Sequence, residues 1–235
     1  MLSRVRLAAL LSSATLLVAS TAFAHVSISS GPGYANQTQV VTLGVGHGCE
    51  GADTYKVEVS IPKEVTSLRA LPSTFGDYEV KADDAGIVTS VTWTKSAKVR
   101  AKDDSYYQVA IRIKVPDAPF STLYFPAKQT CRAADGTESV VDWKATIEEV
   151  KAAKEGEEPE PAPTLVILPV RYTGWNKYTV KKAVTDLSIF DDAQIVWAGD
   201  SAYSKNPATA ELIAAEDGVK ALTEIKANAE IWVKY

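Results

Sequence analysis

The sequence predicts a mainly β protein: an antiparallel β-sandwich at the N-terminal side, followed by a smaller β-rich unit of α+β character. Three observations carry that expectation. Short segments rich in β-branched and aromatic side chains recur between residues 26 and 149, several of them alternating apolar and polar with period two. Turn signals separate them, at Pro62, Pro72, Pro116 and Asp135-Gly136. Helical periodicity is almost absent over the same span, which favours strands that pair with their neighbours.

Strands are expected at residues 38–46, 55–61, 86–94, 106–115, 121–129 and 138–147. Residues 150–163 (VKAAKEGEEPEPAP) then lose nearly every apolar anchor and read as an extended, solvated, charged and Pro-rich linker. The remaining 164–235 form a small C-terminal domain with strands expected at 165–170, 178–184, 193–198 and 229–234. One amphipathic helix is expected at 209–216, with Asn206-Pro207 just ahead of it. This domain contains no His, Cys or Met. Its Trp175, Trp197 and Trp232 read as core or interdomain aromatics in preference to a sugar platform.

Composition narrows the function. The 235 residues are 46% hydrophobic and 23% charged, which is globular and excludes disorder, collagen and coiled coil. A formal net charge of -4 offers no attraction to a nucleic acid or an anionic bilayer. Arg4 and Arg6 precede an apolar stretch that ends in Ala22-Phe23-Ala24, the pattern of a secretory signal peptide over residues 1–24. Cleavage after Ala24 would leave 211 residues, of which 25–149 form the sandwich, with a net charge of -6 and no membrane span. A periplasmic or secreted location follows, and it makes a disulfide the reading of the even pair Cys49 and Cys131. With the sulfurs so committed and the single Met removed, a soft Cu(I)-type site is disfavoured.

Export also makes His25 the first residue of the mature chain, joining an imidazole and a free α-amino group on one residue. An α-amine titrates near pH 8, low enough for a metal to displace its proton, and with ring Nδ1 it closes a chelate. Two nitrogens from one residue suit one Cu(II) ion per chain, since Cu(II) favours N and O donors in a tetragonal plane. The other imidazole is His47, in Gly46-His47-Gly48-Cys49-Glu50-Gly51, where it reads equally as a surface histidine and as a ligand. Glu50 is the carboxylate nearest to it in sequence, open to the same two readings.

The mature His-Val start, the loop GHGCEGADT followed by a strand ending in Ile-Pro (46–62), and the segment QTCxxxDGx(5)DW (129–143) resemble the YcnI-type copper-binding domain family, DUF1775-like. The resemblance covers about residues 25–165, and the tail is similar to an additional C-terminal module of some members. It implies a β-sandwich that holds Cu(II) through a single-histidine brace on His25, with Trp143 nearby to shield the ion or affect its redox state. Trp143 also reads as a plain core residue. The resemblance leaves the choice between His47 and Glu50 open and says nothing of the C-terminal domain's role.

The sequence therefore points to a copper carrier, buffer or chaperone, a binding protein and not an enzyme, with another periplasmic or membrane copper-handling protein as partner. Two alternatives stand beside it. One is a copper-dependent oxygenase resembling lytic polysaccharide monooxygenases, with His47 as second imidazole; the other is a metal-free interaction module. A G-x-S-x-G elbow and a phosphate loop are missing from the chain.

Overall fold

A computed structural model describes residues 25–95 and 103–235; the expected signal peptide, 1–24, lies outside them. Eleven strands come first: β1 (Val26–Ile28), β2 (Gly33–Tyr34), β3 (Thr38–Val45), β4 (Asp53–Ser60), β5 (Thr66–Ala70), β6 (Asp77–Ala82), β7 (Val88–Thr94), β8 (Tyr107–Lys114), β9 (Thr122–Tyr124), β10 (Ala127–Arg132) and β11 (Glu138–Trp143). Helix α1 (Ile147–Ala152) and strand β12 (Thr164–Leu168) follow.

Two antiparallel sheets build the sandwich, in the orders β1-β3-β8-β5 and β11-β10-β4-β7-β6. The period-two pattern has a direct consequence here. Val41, Leu43 and Val45 of β3 and Val109, Ile111 and Ile113 of β8 are buried, as are Val57 and Val59 of β4 and Val91 and Trp93 of β7. They form one core with Phe125, Leu165 and Ile167, while the alternate side chains face outward.

Three expectations require correction. The segment 121–129 is two strands, because Pro126 interrupts it and has no N–H to give a ladder. The segment 138–147 ends as a strand at Trp143, and Thr146 then caps α1: its side chain accepts from Glu149 N–H while the Glu149 side chain accepts from Thr146 N–H. The domain boundary also moves. β12, expected to open the second unit, lies between β2, which it meets parallel, and β9, which it meets antiparallel. Leu165 and Ile167 belong to the sandwich core, and the charged segment before β12 is pinned by Ala145–Pro161 bridging and by the buried Ala162.

The C-terminal unit is a five-stranded sheet ordered β13-β17-β14-β15-β16, from β13 (Trp175–Thr179), β14 (Ile195–Ala198), β15 (Ser201–Tyr203), β16 (Lys220–Ala221) and β17 (Glu230–Lys234). Helix α2 (Pro207–Ala215) starts two residues ahead of the expected 209, with Asn206 as its cap, whose side chain accepts from Ala208 N–H. A second core gathers Val180, Phe190, Val196, Ile231 and Val233, and Phe120 from the loop before β9 packs into it against Phe190 and Tyr178.

The three tryptophans of this unit are not core. Trp197 and Trp232 sit opposite each other across β14 and β17, with Trp175 diagonal to Trp232. The three line one apolar surface depression of about 380 Å³, and Trp175 and Trp232 are 51% and 45% exposed.

Candidate metal centre

His25 immediately precedes β1, whose first residue, Val26, pairs with Val45 at the end of β3. Its imidazole meets the Trp143 indole edge-on, with ring centroids 5.4 Å apart and an interplanar angle of 78°. Its Nδ1 lies 4.0 Å from Oε2 of Glu160. Both side chains are partly exposed, while the Nδ1 atom itself is buried.

Trp143 is the last residue of β11 and only 4% exposed, packed on the sandwich core. Its indole N–H donates to Gln129 Oε1 at 3.0 Å. The Gln129 amide, 1% exposed, in turn donates to the His47 carbonyl at 2.7 Å and to Thr54 Oγ1 at 2.8 Å. One buried side chain thus fixes the orientation of the tryptophan that His25 touches and the backbone of the loop that carries His47. Trp143 thus packs in the core and also touches His25.

The His47 loop is rigid for local reasons. Cys49 and Ala52 exchange two backbone hydrogen bonds across Glu50-Gly51, whose φ values of 49° and 84° make a tight two-residue turn. A Cβ on Gly48 would lie 1.8 Å from the Ala52 carbonyl oxygen, so only glycine fits there. The expected disulfide between Cys49 and Cys131 is formed, with Cα atoms 5.7 Å apart, and ties this loop to β10.

His47 folds back on its own loop, its ring Nδ1 donating to the Gly48 carbonyl. Glu50 occupies the exposed tip of the turn. Among the described residues no three His, Cys, Asp or Glu side chains converge to hold an ion, so His25, His47 and Glu50 do not form a three-ligand set.

The carboxylate beside His25 is instead Glu160, from the segment expected to be a solvated linker. Its carbonyl accepts from Lys144 N–H at 3.0 Å and Ala145 N–H at 2.8 Å, immediately after Trp143, which fixes its backbone against the sandwich. Nothing in EPEP announces this: the pairing is long-range, and the signal in sequence is a charged run. Gln129, also missed, sat in plain view in the QTC motif as a polar residue on an inward-facing strand position.

A family model for a domain of unknown function, DUF1775, matches residues 25–167. The chain belongs to the DUF1775 family. The match ends within β12, in accord with the strand pairing that assigns β12 to the sandwich. An uncharacterized protein from Nocardia farcinica, described as having an immunoglobulin-like fold, is 30% identical over 61% of this chain and 98% of its own, with a TM-score of 0.48. The D312A form of BcpA, the major pilin subunit of Bacillus cereus, is 12% identical over 89% of this chain and 54% of its own, with a TM-score of 0.35. No functionally curated protein matches the DUF1775 chain. Its disulfide accords with an extracytoplasmic location. No described helix is long and apolar enough to cross a membrane.

Proposed function

We propose that this DUF1775 protein is an exported Cu(II)-binding protein, a carrier, buffer or chaperone, that takes one ion per chain at His25. The observation that carries the reading is the meeting of His25 Nδ1 with the Glu160 carboxylate 4.0 Å away, beside the Trp143 ring. Once a signal peptidase frees the α-amine, the same residue offers two nitrogens, and its imidazole stands near the carboxylate. An N,N,O donor set of this kind suits Cu(II) and discriminates against softer-site ions. Trp143 borders the site as a bulky apolar wall and limits access of water and reductant, in the manner of the apolar surroundings that tune metal sites. The partner would be another periplasmic or membrane copper-handling protein that removes the ion by competing for its coordination.

The test is Cu(II) titration of the natively processed chain beside one bearing a single extra residue before His25. Tight one-to-one uptake that weakens by at least about a hundredfold in the extended chain supports the reading. Equal affinity in both overturns it.

A second reading, the copper-dependent oxygenase, gains one observation. Trp175, Trp197 and Trp232 make an exposed aromatic surface of the type that stacks on sugar rings. Oxidised oligosaccharides released from chitin or cellulose by the Cu(II)-loaded protein with a reductant would favour it; their absence favours the carrier.

A further inference from the structure

A different set of titratable side chains lies inside the sandwich, and metal binding makes no use of it. Asp53, at the start of β4, and Lys95, just after β7, are neighbours in one sheet: the Lys95 N–H donates to the Tyr55 carbonyl at 3.0 Å. Their side chains are 0% and 7% exposed, and Lys95 Nζ is 2.5 Å from Asp53 Oδ2. Tyr107, at the start of β8 in the facing sheet, closes a triangle. Its hydroxyl accepts from Lys95 Nζ at 2.7 Å and donates to Asp53 Oδ1 at 2.9 Å. Aromatic rings wall the amine, with Nζ 4.2 Å from the Tyr107 centroid and 5.7 Å from that of the buried Phe75.

Lysine is almost never this buried. Transfer of one proton across the Nζ–Oδ2 contact converts the pair to an amine and a carboxylic acid without moving a heavy atom. A neutral, desolvated amine is a nucleophile, and it stands against a carbonyl carbon it can reach. Groups held at such range react with effective molarities of about 10⁵ to 10⁸ M.

We propose that Lys95 and Asp53 condense to an intramolecular amide, with Tyr107 as the proton relay. In the step, the Nζ lone pair attacks Asp53 Cγ and the N–Cγ bond forms. Of the two protons the ammonium gives up, one passes directly to Oδ2. The other passes to the Tyr107 oxygen while the Tyr107 proton moves to Oδ1, so the tyrosine ends unchanged. The neutral tetrahedral diol then collapses: one C–O bond breaks, that hydroxyl leaves as water with the other's proton, and a carbonyl remains. The balance is one ammonium plus one carboxylate giving one amide plus one water, with no oxidant or co-reactant. The product joins β4 to the end of β7 covalently and replaces a buried ion pair, which contributes little net stability, by a neutral group.

Intact-mass spectrometry of the purified full chain reads this directly. The mass expected is that of the disulfide-bonded sequence less one water, and proteolysis should yield a single branched peptide containing both Asp53 and Lys95. Lys95→Arg keeps the charge pairing and should restore the full mass. Tyr107→Phe keeps the ring against Phe75 and removes the relay, so at equal time after refolding the condensed fraction should fall by about tenfold or more. A wild-type mass equal to the disulfide-bonded sequence, with Asp53 and Lys95 on separate peptides, means an ion pair only and overturns the proposal.

Discussion

Replacing Gln129 by Met tests whether one amide sets the order of the His25 end of the sandwich. Methionine has similar volume and flexibility, so packing against Trp143 and Thr54 is retained while the donors and the acceptor are lost. Three hydrogen bonds disappear, of 2.7, 2.8 and 3.0 Å. Thr54 Oγ1 still reaches the His47 carbonyl at 3.5 Å, a weak contact, and the Trp143 indole N–H loses its acceptor at a site 4% exposed. Stranding a buried polar group costs about 1–3 kcal/mol, and two are stranded here, so the expected loss is about 3 kcal/mol. For a chain of this size that corresponds to a fall of about 6–12 °C in melting temperature. Guanidinium unfolding followed by tryptophan fluorescence measures it. A loss below about 1 kcal/mol would show that the amide does not hold the site, and that Trp143 and the His47 loop keep their places by packing and the disulfide alone.

Four further outcomes are expected. Replacing both Cys49 and Cys131 by Ala releases an 82-residue separation, for which chain entropy gives about 4.5 kcal/mol, read as a lowered guanidinium midpoint; no change would contradict it. Glu160→Gln should weaken Cu(II) binding by about tenfold with no change in melting temperature, measured by competitive titration. Trp143→Phe should keep the fold and remove most of the tryptophan quenching that Cu(II) causes, since the wild-type indole is the one in contact with His25. Tyr235 carries a buried hydroxyl with no hydrogen-bond partner among the described residues, and burial holds its pKa well above the ordinary tyrosine value. Its contribution is present below about pH 10 and is lost as pH rises above that, because unfolding then releases a proton the fold retains. Tyr235→Phe should therefore flatten the fall of stability in alkali, and an unchanged pH profile would contradict the burial argument.

The sandwich was legible where strands are buried on one face. β3, β4, β7 and β8 each carry apolar residues at alternate positions, and each falls within about two residues of its expected span. β6 carries the same alternation in DYEVKA and was passed over; it is exposed along its whole length as an edge strand, stabilised by pairing with β7 and not by burial. The fate of 138–147 turned on a capping box, T-x-x-E at 146–149, that outweighed a preceding run of β-branched residues. Cys49–Cys131 was legible from compartment and count alone. Glu160 was not, because its proximity to His25 arises from backbone bonds to Lys144 and Ala145 that no local pattern encodes. The exposed tryptophans were misjudged because residue type carries hydrophobicity but not the face of the strand on which it stands.

The central claim is that one residue supplies two nitrogens to one Cu(II) ion. Electron–nuclear double resonance on the natively processed, Cu(II)-loaded protein counts those nitrogens. The account predicts one imidazole nitrogen and one amine nitrogen, the imidazole coupling lost in His25→Ala and both retained in His47→Ala. Two imidazole couplings, or a spectrum unaltered by His25→Ala, would contradict it.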